Sequence, residues 1–211
     1  MLNIAVLVSG GGTNLQALID AQNDGRIKNG NITLVVSSNP KAYALTRATN
    51  AGIPQKVLRR KSFASQEDYD KALITLLERH QIGLIVLAGF LTIISQNVIS
   101  HFPNRIINVH PSLIPSFCGE GYYGLRVHEE ALKRGVKVTG ATVHFVNEIC
   151  DGGPIILQKS VEVLPGDTPE TLQKRVMEQA EWKLLPRAVS LFCENRLSVE
   201  NGCVTVKEEE S

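Results

Sequence analysis

Three short segments carry the residue types that do chemistry. In Asn108-Val109-His110-Pro111-Ser112-Leu113-Ile114-Pro115 an amide and an imidazole stand two residues apart. On a strand, side chains at that spacing leave from the same face, and Pro111 stops the strand just after them. Both groups then lie at a carboxyl end, where open α/β sheets bind their ligands. Together they offer donors to an oxyanion developing on a reacting carbonyl. A polar pair that merely satisfies itself at a strand end has the same sequence. The second segment, Asp151-Gly152-Gly153-Pro154, opens on a carboxylate. It fits a plain turn, or an acid that orients His110 and favours its protonated form. His144 could join or support that group. His110, His144 and Asp151 could also form a two-histidine, one-carboxylate metal set, although the chain has no closely spaced ligand pair. The third segment is Ser9-Gly10-Gly11-Gly12-Thr13-Asn14. A glycine loop opening a helix turns tightly, lets a ligand approach the backbone and aims free N–H groups at a phosphate. Its spacing is neither the dinucleotide nor the ATP fingerprint, and a simple tight connection is the alternative.

These residues need strand ends to hold them, and the hydrophobic pattern supplies those. Ile4 to Val8, Ile32 to Val36, Ile53 to Leu58, Leu84 to Ala88 and Ile106 to His110 read as short strands. Helical segments separate them, from Thr13, over Ala42 to Asn50 and over Phe63 to Arg79. That alternation predicts a single α/β domain over residues 1–211, with a mostly parallel, doubly wound, Rossmann-like sheet. After about residue 136 the pattern changes. Val138 to Val146 and Ile155 to Val163 form an antiparallel extension, and Asp167-Thr168-Pro169-Glu170 starts a long C-terminal helix with capping-box character. Leu172, Val176, Ala180 and Leu184 step along one face of it, and Lys207 to Ser211 read as a frayed polar tail. His80 and His101 fall near helix ends, and Gly119 to Gly124 reads as a mobile surface loop bearing Tyr122 and Tyr123.

Composition narrows the partners. The 22 basic and 21 acidic residues nearly cancel, so there is no basic excess to grip nucleic acid. No segment has the length of apolar sequence a membrane span needs, and the chain begins directly on a strand-like run rather than a signal peptide. Cys118, Cys150, Cys193 and Cys203 form no metal-binding or disulfide pattern and read as reduced thiols of a cytoplasmic protein; the expected assembly is a monomer or a homodimer.

Taken together, the segments resemble the family of phosphoribosylglycinamide formyltransferases, from Ile4 to about Leu197. The resemblance rests on Ser9 to Gln16, Ala88-Gly89-Phe90-Leu91, Asn108 to Pro115, Thr142-Val143-His144-Phe145-Val146 and Asp151 to Ile156, five blocks in family order. It implies small-molecule substrates, 5-phosphoribosylglycinamide and the co-substrate 10-formyltetrahydrofolate, with no metal. By that likeness Asn108, His110 and Asp151 are the catalytic triad, beside which His144 is read as support, and Gly12, Thr13 and Asn14 hold the substrate phosphate. Glu181 meets the glycinamide. Gln66, Leu91, Thr92, Ile93, Ile94, Asn108 and the run Asn147, Glu148, Ile149, Cys150 and Asp151 line the folate pocket. Gln66 and Thr92 stand where some relatives have arginine. Residues 119–126 are longer than in many members, Trp182 replaces a frequent histidine, and the spacing before Glu181 is one residue longer. The expected chemistry is direct formyl transfer to the amine, with Asn108 and a protonated His110 stabilising the tetrahedral oxyanion. A formyltetrahydrofolate hydrolase shares the triad, and a non-catalytic nucleotide-binding module would need none of it.

Overall fold

The computed structural model of the chain describes residues 1–208. Seven strands join in one mostly parallel sheet in the order β3-β2-β1-β4-β5-β6-β7, the α/β class predicted. The chain divides into two compact units, one from Met1 to Ile107 and one beginning at Asn108.

In the first unit, β1 (Leu2–Val8), β2 (Gly30–Ser37), β3 (Gln55–Val57) and β4 (Ile82–Leu87) alternate with α1 (Thr13–Asn23), α2 (Tyr43–Asn50) and α3 (Gln66–Arg79), and α4 (Gln96–His101) follows. β1 pairs in parallel with both β2 and β4. Chain direction across the sheet therefore reverses at β1, the switch point beside which open α/β sheets place ligands. The near-continuous burial of β1 and β4 is what a sheet covered on both faces demands. α3 begins later than its apolar pattern predicts. Arg60–Ser62 form a separate 3-10 turn, and the Ser65 side chain accepts the Asp68 N–H at 3.0 Å, fixing the helix start.

β5 (Ile106–His110) runs across the unit boundary. In the second unit come α5 (Leu125–Arg134), β6 (Val138–Phe145), β7 (Ile155–Glu162), α6 (Pro169–Val176), α7 (Trp182–Cys193), β8 (Leu197–Glu200) and β9 (Cys203–Val206). β6 and β7 pair antiparallel, as do β8 and β9. The predicted capping box forms between Thr168 and Thr171. Asp167, just before it, accepts two bonds from the Arg175 guanidinium, at 2.5 and 2.6 Å, and that pairing holds its carboxyl far below the usual carboxylate range. The long helix is not continuous: Met177–Glu181 form a π turn between α6 and α7. Leu172, Val176 and Ala180 nevertheless share one core with Ala141 and Val161, with Leu184 packed against it. A stripe stepping by four drifts about 40° per step on a regular α-helix, and the wider π turn takes part of that drift back. The polar tail is anchored at its start, because the Lys207 N–H donates to the Arg196 carbonyl and the Arg196 side chain donates from Nε to the Lys207 carbonyl. Residues 209–211 of that predicted tail lie outside the described residues.

Gly12 shows how local sequence sets this frame. It precedes α1 in the left-handed region, φ 73°, and an added Cβ would sit 2.6 Å from the Ala44 Cβ and 2.8 Å from its Cα. The close approach read from the glycine loop is therefore, at Gly12, an approach to α2. At Gly11 an added Cβ meets nothing within 4 Å. Gly12→Ala is expected to destabilise the protein by about 1–3 kcal/mol, and Gly11→Ala by no more than about 0.5 kcal/mol. Urea midpoints of the two variants check this, and equal midpoints would show that α2 does not restrict the loop.

Candidate active site

The second unit gathers three polar side chains about one carboxylate. β5 ends in Asn108 and His110, β6 supplies His144, and the turn after β6 supplies Asp151. Asp151 is in the left-handed region, φ 55°, which aspartate tolerates better than most residues. Gly153 makes the turn possible: an added Cβ would lie 1.8 Å from the Phe145 carbonyl oxygen, so only glycine lets the turn fold back on the end of β6. The segment after His110 is fastened by Thr142, whose hydroxyl donates to the Ser112 carbonyl at 2.7 Å and accepts the Ile114 N–H at 3.1 Å.

Each donor has one short contact and one long one. Asn108 Nδ2 is 3.1 Å from His144 Nε2 and 3.4 Å from Asp151 Oδ1. His110 Nε2 is 2.9 Å from the Phe117 carbonyl oxygen, and its Nδ1 is 3.5 Å from Asp151 Oδ2. The short contacts anchor the side chains. The long ones face the carboxylate without committing to it, the looseness expected of catalytic groups before substrate binds. Asp151 also accepts the Gly119 N–H at 2.9 Å.

The electrostatics correct one expectation. Burial pushes the His110 imidazole below the usual histidine value; Asp151 and the Phe117 carbonyl pull it back without overcoming burial, and His144 adds to the lowering. His110 is therefore largely neutral near pH 7 rather than held charged by Asp151. A carbonyl oxygen only accepts, so the proton of the neutral ring sits on Nε2 and the Nδ1 lone pair faces Asp151. For Asp151, burial works to raise the carboxyl. The neighbouring His144 and His110 rings and the Gly119 N–H outweigh it and leave the carboxyl below its usual value. Cys118 and Cys150 flank this carboxylate, and burial together with its charge pushes both thiols up, so they stand protonated.

The other predicted residues fall in two groups. In the first unit, Gly12, Thr13 and Asn14 are half-buried at the start of α1. Buried Ser9 ties the loops after β1, β2 and β4 together, with its hydroxyl 2.6 Å from the Ser38 hydroxyl and accepting the Leu91 N–H at 2.9 Å. Arg47 is strapped to the loop, donating from Nε to the Gly11 carbonyl at 2.9 Å and from Nη1 to Gln16 Oε1 at 3.0 Å. After β4, Leu91 and Ile93 are exposed while Thr92 and Ile94 are partly covered. Gln66 is engaged on both ends, with Arg60 and with Asp70, each at 2.7 Å. In the second unit, Asn147 shapes its own turn through Ile149 N–H and the Gly152 carbonyl, leaving Glu148, Ile149 and Cys150 exposed. Glu181 closes the π turn with its side chain buried.

Three participants gave no signal in the sequence. Phe117 accepts the His110 bond from a left-handed conformation, φ 50°, rare for so bulky a residue. Gly119 contributes only its backbone N–H, so the loop predicted to be mobile surface is tied to Asp151. His128 on α5 is fully buried, neither ring nitrogen has a hydrogen-bond partner, and burial with the nearby His110 charge pushes it down to about 4. Among the described residues no group of three or more His, Cys, Asp or Glu side chains is arranged to hold a metal ion. No helix among them is long and apolar enough to cross a membrane.

The formyl transferase family model matches residues 2–189. The chain is 41% identical over 201 residues to phosphoribosylglycinamide formyltransferase of Escherichia coli K12, covering 95% of this chain and 92% of that protein. It is 42% identical to the human trifunctional purine biosynthetic protein adenosine-3 over 208 residues, which is 98% of this chain and 20% of that one. The crystal structure of glycinamide ribonucleotide transformylase 1 from Symbiobacterium toebii superposes with a TM-score of 0.92 at 42% identity, covering 99% of this chain and 95% of that chain.

Asp151→Asn isolates the carboxylate, because asparagine accepts the left-handed backbone as readily. The charge of Asp151 raises the His110 value, so its removal is expected to drop that value further below the usual histidine range. NMR titration of the His110 ring in both proteins checks the direction; an unchanged midpoint would mean that the carboxylate exerts no pull across 3.5 Å.

Proposed function

The chain belongs to the formyl transferase family, and from that premise we propose that it transfers the formyl group of 10-formyltetrahydrofolate to the amine of 5-phosphoribosylglycinamide, a step of purine synthesis. The observation that carries the reading is the convergence of Asn108 and His110 on Asp151 through two long contacts, the arrangement a tetrahedral centre can enter.

In this mechanism the amine attacks the formyl carbon and a C–N bond forms. The carbonyl electrons move onto oxygen, where the Asn108 N–H stabilises them. His110 enters neutral and takes the amine proton at Nδ1, with its other nitrogen still bound to the Phe117 carbonyl. The imidazolium so formed is a second donor to the oxyanion, and Asp151 stabilises its charge. Collapse breaks the bond to the folate nitrogen, which receives the proton from His110. One C–N bond forms, one breaks, and one proton passes from amine to leaving group, so the reaction needs neither a metal nor a covalent enzyme intermediate.

Substrate binding divides between the loops. The N–H groups at the start of α1 take the phosphate, aided by Arg47 held on the Gly11 carbonyl. The exposed apolar side chains Leu91 and Ile93, and separately Ile149, offer surface to the pterin. Glu181 is assigned to the glycinamide. The four cysteines are free, which suits a cytoplasmic enzyme.

The absorbance change of folate deformylation, followed with and without 5-phosphoribosylglycinamide, tests the reading. Turnover that requires this acceptor and persists after chelation is expected; acceptor-independent loss of formate would make the protein a hydrolase. Because the working form of His110 is the neutral one, kcat should fall as pH drops through a midpoint below about 6.5 and hold level above it. Loss of activity on the alkaline side instead would restore a protonated His110 as the resting form. Asn108→Ala is expected to lower kcat about 10²–10³-fold.

A further inference from the structure

His144 is almost completely buried, 2% exposed, and both ring nitrogens are committed. Nδ1 lies 2.8 Å from the Phe145 carbonyl oxygen. That oxygen can only accept, so Nδ1 carries the proton, and in the neutral ring Nε2 is left with a lone pair. Nε2 lies 3.1 Å from Asn108 Nδ2. An asparagine amide has a donor end and an acceptor end of nearly equal shape, and only its partners decide which way it faces. Were the Asn108 amide reversed, its oxygen would meet the Nε2 lone pair at one contact and the Asp151 carboxylate at the other. Both would be acceptor against acceptor.

We propose that His144 is a positioning residue that fixes the direction of the Asn108 amide: the Phe145 carbonyl sets the tautomer of His144, and that tautomer holds the donor end of Asn108 toward Asp151. This rests on the reading of Asn108 as an oxyanion donor and specifies what makes it one. One N–H of Asn108 is used by His144. The other faces Asp151 Oδ1 at 3.4 Å, a contact long enough to be exchanged for a developing oxyanion. His144 itself touches no reacting atom. Its effect on the oxyanion donor is exerted through Asn108.

Two measurements on the intact protein test this. The first is the ¹⁵N spectrum of the His144 ring in the wild-type protein, which separates the tautomers directly. Protonation at Nδ1 is expected, and a proton on Nε2 overturns the proposal whatever the variants do. The second is a set of rates. His144→Phe keeps a buried ring but removes the acceptor, and is expected to lower kcat about 10²-fold, as loss of one oxyanion donor does, while KM for both substrates stays within about 2-fold. His144→Gln, whose amide again offers one donor and one acceptor, should recover most of that loss. With Asn108→Ala as background, His144→Phe should cost almost nothing more. Losses that multiply in the double variant would show that His144 acts independently of Asn108 and end the proposal. A wild-type protein that does not transfer formyl groups would sink the functional reading while leaving the tautomer result standing. An active wild type with Nε2 protonated would sink this inference alone.

Discussion

A carboxylate largely removed from water stays ionised only where donors surround it, and Asp151 is the group on which this requirement falls. Asn108 and the Gly119 N–H donate to it, and the His110 and His144 rings stand beside it as groups that can take up a proton. They come from β5, β6 and the loop before α5, so several elements must be placed correctly for one charge to be tolerated. Placement is enforced by small, specific devices: the left-handed backbone of Asp151, the glycine that lets its turn touch the end of β6, and the fully bonded Thr142 hydroxyl. Remove the carboxylate and the imidazoles have no reason to face one another. Remove the devices and the carboxylate has no shelter.

That shelter also explains why the balance at His110 differs from what residue types alone suggest. A neighbouring acid favours imidazolium, and the sequence places such an acid within reach. The sequence does not state how deeply the ring is buried, and burial is the larger effect here. Burial acts with opposite sign on the two partners, lowering His110 and working to raise Asp151, whose neighbours outweigh it and leave it lowered as well. The pair is thus poised as a neutral base beside an anion, a state able to take up a proton rather than one that already holds it. His128, kept neutral by its burial near His110, adds no competing charge.

The strands were legible because burial on both faces leaves continuous apolar runs, and β1, β2, β4 and β5 start and stop within a few residues of those runs. Asn108 and His110 could be paired from spacing alone, since alternation on a strand admits no other geometry. α4 and α5 were not read: α4 is only six residues long, and α5 follows a glycine-rich loop whose chemistry dominates the local pattern. Phe117 and Gly119 were beyond reach for a simpler reason. Their contribution is a carbonyl and an N–H, which every residue has. The start of α3 was misplaced because its apolar periodicity extends backward past Ser65, while the hydroxyl that caps the helix start takes a first-turn N–H that periodicity does not register. Gly12 stood out in the sequence as a place of close approach, but the neighbour that forbids a side chain there is a helix thirty residues later in the chain.

The π turn at Met177–Glu181 has a meaning for how such a chain changes over generations. One residue added to a regular helix rotates everything beyond it by about 100° and would swing the buried side of α7 away from its partners. A widened turn absorbs the newcomer locally, so the residues before and after keep the faces they had. An insertion that would otherwise scramble a core becomes a local swelling, with Glu181 at its end. The spacing between the start of the helix and that acid can thus drift by one residue between lineages without the rest of the domain having to be rebuilt. Helices that tolerate a single-residue length change in this way are natural places for a binding site to be adjusted.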